Sequence, residues 1–176
     1  HIIIGQSSHA HALIKSIDLS SVAKAEGIVA VLSASDIPGV NDCSPVAGDD
    51  PIFATDKVSY LGQSVFAVVA ESTDLARFAV NLAEIDYDPL PAILTIDEAM
   101  QTGSLLGPSA VLESGHPNAK MAAAKNRLEG RLEIGGQEHF YLEAQAALAI
   151  PAEDGDIQVF CSTQHPSEIQ HKVAQA

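Results

Sequence analysis

The chain has 176 residues, enough for one ordinary domain or for one domain with part of a second. Its 47% hydrophobic and 18% charged residues place it among globular chains rather than disordered ones. A net charge of −14, with no Lys/Arg-rich run, argues against nucleic acid and anionic membrane surfaces as partners and suits a cytoplasmic location.

His1 to Ser7 and Leu13 to Ile17 read as short strands, and Gly27 opens the apolar run IVAVLS. Gly62 introduces QSVFAVVAES, whose β-branched density fits a buried strand. Ser72 or Thr73 then caps a helix with Asp74 in its first turn, where a negative charge is favoured. Leu75, Phe78, Ala79 and Leu82 fall on one face of that helix. IDYDPLP returns as an edge strand, because Pro89 and Pro91 stop it continuing in a ladder. Residues 1–102 are therefore expected to form an α+β domain with a mixed sheet.

Residues 103–127 form a connector, punctuated by Gly103, Gly107, Pro108, Gly115 and Pro117, with only Ala119 to Lys125 helical in pattern. A second sheet-forming region occupies residues 128–176. RLEGRLEI, EHFYLEAQAALAI and DIQVFCS read as three strands, the last two joined by the loop PAEDGD. After Ser162-Thr163-Gln164, Pro166 at a first helical position begins a final helix. Ile169 and Val173 leave that helix an apolar stripe with little to pack against, so the chain reads as a piece of a larger protein. No apolar run approaches a membrane span and no signal peptide is visible.

Two stretches carry polar groups that invite chemistry. In GGQEHFYLE, alternation on a strand puts Gln137, His139, Tyr141 and Glu143 on one face, and Gly135-Gly136 permits a bulge or the close approach of a ligand. A metal reading would pair His139 with Glu143 or Gln137, yet one strand supplies too few ligands, and the His9/His11 pair lies in the other region. The competing reading is a strand buried on both faces. Ser162-Thr163-Gln164 sits where a strand hands over to a helix, so Gln164 either presents its amide to a ligand or belongs to a helix-capping turn. Ser162 lacks an orienting acid for its neighbour His165, and no GxSxG, GxGxxG or GxxxxGK[ST] stretch is present. Cys43 and Cys161 are far apart and outside any CxxC pair, which argues against a disulfide framework, a thiolate zinc site or an iron–sulfur site; both read as small buried residues.

GGQEHFYLE followed by CSTQHPSEIQHKVAQ resembles the molybdenum-binding part of the xanthine dehydrogenase/aldehyde oxidase family. Within it, the likeness is greatest to the large molybdenum-carrying subunit of the bacterial two-subunit type. GIVAVLSASDIPGVND, YLGQSVFAVVAES and IDYDPLPAI resemble the α/β hammerhead domain that opens those subunits, with Ser64 in place of a usual proline. The resemblance spans nearly the whole chain.

It implies a hammerhead domain followed by the first strands and helix of a molybdenum-cofactor-binding domain. The implied reaction oxidises xanthine or hypoxanthine to urate, with water as the oxygen source. Electrons pass through 2Fe-2S centres and FAD on a partner subunit to NAD. Gln164 matches the glutamine that hydrogen-bonds a molybdenum oxo group, and Gln137, Gly136 and His139 are lesser candidates on the wall around molybdopterin. The general-base Glu of an FGGKE-type segment and a substrate-orienting Arg are implied beyond Ala176, so the 176-residue chain alone is expected to be inactive. Alternatives are a related hydroxylase of aldehydes or other N-heterocycles and a non-catalytic hammerhead interaction module. A metal hydrolase built on His139, Glu138 and Glu143 is the remotest of them.

Overall fold

The computed structural model describes residues 1–46, 48–142 and 144–176. They fall into two compact units, the first made of residues 1–93 and 163–176 and the second of residues 94–162.

In the first unit, β1 (Ile2–Gln6), β3 (Ile28–Leu32) and β5 (Ser64–Ala70) form one sheet in the order β1-β5-β3. A second sheet places β2 (Ala12–Asp18) between β4 (Lys57–Val58) and β6 (Glu84–Pro89). Each pairing in both sheets is antiparallel, so two antiparallel sheets stand where one mixed sheet was expected. The reason lies in the connections. The helix α2 (Thr73–Val80) does not return the chain to the sheet of β5, as a parallel crossover would, but delivers it to β6 in the other sheet. The α+β class itself stands.

β5 is the central strand predicted from its apolar run, and Val65, Phe66, Ala67 and Val68 are all buried, on both of its faces. β6 is an edge strand ending at Pro89, again as its prolines require. α2 starts at Ser72, whose hydroxyl accepts from the Leu75 amide at 3.3 Å. Its inner face differs from the expected one. Ala76 and Ala79 are buried, with Leu75 and Val80 beside them, whereas Phe78 is 64% exposed. Small alanines let the helix lie close against β1, β5 and β3, which turns the bulky Phe78 outward. Val22 of α1 (Ser20–Ala23) and Val58 of β4 complete the core.

A loop after β3 is built on backbone hydrogen bonds. Asn41 Nδ2 donates to the Phe53 carbonyl at 2.8 Å, while Asn41 Oδ1 accepts from the Phe53 amide at 2.9 Å. The Cys43 amide donates to the Asp50 carbonyl at 2.9 Å. Cys43 is exposed and Cys161 half-buried, so neither is the buried core residue expected of a lone cysteine. Cys43 lies on an irregular loop whose hydrogen bonds, rather than apolar packing, determine its place.

The second unit contains α3 (Ile96–Thr102), α4 (Pro117–Ala123) and the antiparallel hairpin of β7 (Ala147–Pro151) and β8 (Ile157–Cys161). α3 was not anticipated. It is set by a capping box in which Thr95 Oγ1 accepts from the Glu98 amide and the Glu98 carboxylate accepts from the Thr95 amide, both at 3.2 Å. Gly103, in the left-handed region at φ 68°, closes it. The PAEDGD hairpin turn is as predicted, with Asp154 and Gly155 both at positive φ.

The three-strand expectation is corrected. Residues 128–142 contain no strand; Leu128, Leu132, Ile134 and Phe140 are heavily exposed, and Phe140 has a φ of 51°. A strand needs a partner for its ladder, and among the described residues none pairs with this stretch. No helix among the described residues is long and apolar enough to cross a membrane. The final helix, α5 (Pro166–Gln175), belongs to the first unit.

Candidate functional site

The chain leaves β8 at Cys161 and enters α5 at Pro166 through Ser162, Thr163, Gln164 and His165. Ser162, in the second unit, has its hydroxyl fully occupied by backbone. It donates to the Ala144 carbonyl at 3.0 Å and accepts from the Ala146 amide at 3.2 Å, while its own amide donates to the Ala146 carbonyl at 3.3 Å. These bonds extend the β7–β8 ladder beyond its last strand residue. They also direct the Ser162 hydroxyl to the main chain rather than to the His165 ring.

In the first unit, Thr163 Oγ1 accepts from the His165 amide at 3.0 Å, a local turn that the hydroxyl imposes on the backbone. His165 is the N-cap residue of α5 and makes no side-chain cap, and Pro166 occupies N1, where its missing N–H costs nothing. Gln164 is exposed between these two constraints and caps nothing. The polar turn at the helix start does form around Gln164, although its own side chain takes no part in it. A neutral amide remains, projecting from a backbone that Thr163 and Pro166 hold.

Gly136 and Gln137 lie in the second unit on irregular backbone, both exposed, and a Cβ on Gly136 would meet nothing within 4 Å. The alternating face that was to group Gln137, His139 and Tyr141 does not form, because the stretch is not a strand. Glu143 lies outside the described residues. Glu138 accepts from the Phe140 amide at 3.4 Å, a local turn rather than a catalytic pairing. Among the described residues no group of three or more His, Cys, Asp or Glu side chains could hold a metal ion.

His9 and His11 are occupied elsewhere. The His9 ring stacks on Tyr87 with centroids 4.6 Å apart, and His11 Nδ1 donates to the Pro91 carbonyl at 2.7 Å. His9 and Tyr87 line a cavity of about 310 Å³ with Gln6, Ser8 and Asn81, and the Tyr87 hydroxyl is buried there without a partner among the described residues.

One arrangement escaped the sequence reading. Lys172 of α5 pairs with Asp42 at 3.1 Å. Hydrogen bonds from Ser44, chiefly its hydroxyl, together with the Lys172 ammonium hold the Asp42 carboxyl below the ordinary carboxylate range. The only sequence signal was the pattern Asn41-Asp42-x-Ser44, a turn-forming polar run.

A neutral amide donor on a fixed turn fits an oxo acceptor on a cofactor, because it orients that group without adding charge. Comparison with known proteins shows the family of the chain. Residues 1–91 match the family described as aldehyde oxidase and xanthine dehydrogenase, a/b hammerhead domain, and residues 105–176 match the molybdopterin cofactor-binding domain. A xanthine dehydrogenase/oxidase of Felis catus is 41% identical over 169 residues, covering 96% of this chain but 13% of the cat protein. Aldehyde oxidase 2 of Rattus norvegicus is 42% identical over 172 residues, 97% of this chain and 12% of the rat protein. The aldehyde oxidoreductase structure from Desulfovibrio gigas superposes with a TM-score of 0.74 at 25% identity, over 90% of this chain and 20% of that one. The chain thus spans a small fraction of the length of its relatives. It belongs to the xanthine dehydrogenase and aldehyde oxidase family of molybdenum hydroxylases, as a hammerhead domain followed by the start of the molybdopterin cofactor-binding domain.

Proposed function

We propose that the chain is part of the large molybdenum-carrying subunit of a two-subunit xanthine dehydrogenase, in which Gln164 faces the cofactor. The observation that carries the site is the exposed Gln164 amide on a turn held by Thr163 and Pro166, within residues matched by the molybdopterin-binding domain. When bound, the cofactor supplies hydroxylation of an electrophilic carbon with oxygen from water. Gln164 would hold the cofactor by donating its side-chain N–H to an oxo group, and Gly136 and Gln137, on the backbone of the second unit, are proposed as further molybdopterin contacts. FAD and 2Fe-2S centres, proposed to lie on a cytoplasmic partner subunit, would supply the electron path to NAD. Xanthine and hypoxanthine are the proposed substrates. The 176-residue chain alone is proposed to be inactive, because it spans only 13% of the length of the cat xanthine enzyme it resembles.

The rat aldehyde oxidase, as similar as the cat xanthine enzyme, favours a second reading in which aldehydes or other N-heterocycles are oxidised. The test uses the full-length protein with its partner. Molybdenum content, urate formation from xanthine with NAD, and carboxylate formation from aldehydes are measured side by side. Urate formation supports the first reading, and aldehyde turnover without urate selects the second. Gln164→Ala is expected to lower turnover about 10- to 100-fold with the fold intact; unchanged turnover removes Gln164 from the site.

A further inference from the structure

Asp42 and Lys172 stand 130 residues apart in the chain and meet at 3.1 Å, inside the first unit. Their side chains are 26% and 18% exposed for Lys172 and Asp42. The other ion pairs among the described residues, Lys15–Asp88, Arg77–Asp74 and Arg131–Asp97, are all more than half exposed at both ends. Shielding from water makes this pair the one whose geometry is best held.

Asp42 is itself immobilised. Its Oδ1 accepts from the Ser44 amide at 3.3 Å and the Asp50 amide at 3.4 Å, and its Oδ2 accepts from the Ser44 hydroxyl at 3.0 Å. The paired hydrogen bonds of Asn41 with Phe53 brace the same loop. On α5, Glu168, Ile169 and Lys172 share the half-buried face. The Gly39 and Val40 amides each donate at 2.7 Å, to the Ala176 and Gln175 carbonyls. The hydrogen bonds that join α5 to the loop thus run to residues 39–42. A helix transmits displacement along its axis, and Lys172 lies about 9 Å along it from Pro166, which follows Gln164 by two residues.

We infer that Asp42 and Lys172 are positioning residues, whose pairing sets where α5 lies and thereby where the Gln164 amide points. The inference rests on the reading of Gln164 given above. Asp42 sits in the hammerhead loop, so a residue outside the molybdopterin-binding match governs the orientation of one inside it.

The test uses the full-length protein with its partner and has two readouts, hydrogen exchange and steady-state turnover of xanthine with NAD. Lys172→Glu is expected to raise exchange at the amides of residues 169–172 about fivefold, leaving β5 amides unchanged. It is also expected to lower kcat with KM unchanged. Lys172→Arg preserves the pair and is expected to keep both readouts near wild type, and Lys172→Met serves if the reversed charge prevents folding. Unchanged exchange in Lys172→Glu and Lys172→Met overturns the inference. So does altered exchange with unaltered kcat in a protein whose Gln164→Ala variant is impaired. Should Gln164→Ala itself leave turnover unchanged, the reading of the site fails and the inference falls with it, a failure distinguished by its origin at Gln164.

Discussion

Gly5 of β1 lies opposite Phe66 of β5 in the antiparallel register, and a Cβ on Gly5 would overlap the Phe66 ring. Phe66 is almost completely buried, so its ring has no open space into which to retreat. Gly5→Ala is expected to cost about 1–3 kcal/mol through overpacking, seen as a fall in Tm. Combining it with Phe66→Leu should recover part of the loss. Equal stability of Gly5→Ala and wild type would show that the two strands separate more easily than this packing implies.

Ser162 supports the β7–β8 hairpin through its hydroxyl. Ser162→Ala leaves the Ala146 amide and the Ala144 carbonyl without that partner and is expected to cost about 1 kcal/mol locally. Faster exchange of the Ala146 amide is the measurement, and Ser162→Thr should retain protection. An unchanged Ala146 amide in Ser162→Ala would mean the backbone bond alone holds the end of the hairpin.

Thr95 and Glu98 define the start of α3. Thr95→Ala removes the acceptor for the Glu98 amide, with an expected loss of about 1 kcal/mol in a helix with no buried residue to compensate. Exchange across residues 98–102 should rise, and Thr95→Ser should restore it. Equal protection in Thr95→Ala would assign the helix to packing instead of capping.

Asp42 predicts an acid response. Its carboxyl titrates below the ordinary value of 3.8 because Ser44 and Lys172 favour the charged form. A depressed folded-state pKa contributes stability that is complete above the unfolded value and disappears as pH falls through the folded one. Protection of α5 amides, corrected for intrinsic exchange, should therefore be flat well above 3.8 and fall progressively as pH drops through that value toward the depressed one. Protection that stays unchanged as pH falls through and below that value would contradict the assignment.

How far the sequence reveals this molecule depends on which forces are local. β5 was visible because its apolar residues are contiguous, and α2 because Ser72 and Asp74 mark its start. The inward face of α2 was not visible, since Phe78 is turned out by the closeness that Ala76 and Ala79 permit. The T-x-x-E box of α3 was written in the chain but carried no apolar periodicity beside it. Residues 128–142 misled for the opposite reason: they have strand composition, and pairing is a property of the partner as much as of the segment. At the candidate site, Gln164 was identified by resemblance, whereas the hydrogen bonds of Ser162 and the pairing of Lys172 with Asp42 depend on contacts across 16 to 130 residues.

The first unit is interrupted in sequence, taking up residues 1–93, releasing the chain for residues 94–162 and recovering it for α5. On a ribosome adding about 5–20 residues per second, the loop around Asp42 is made several seconds before Lys172 exists. Both sheets can close early, but the loop that receives α5 must wait with its carboxylate still unpaired. Completion of the first unit is thereby tied to synthesis of the segment that bears Gln164, so the order of assembly follows the order of translation.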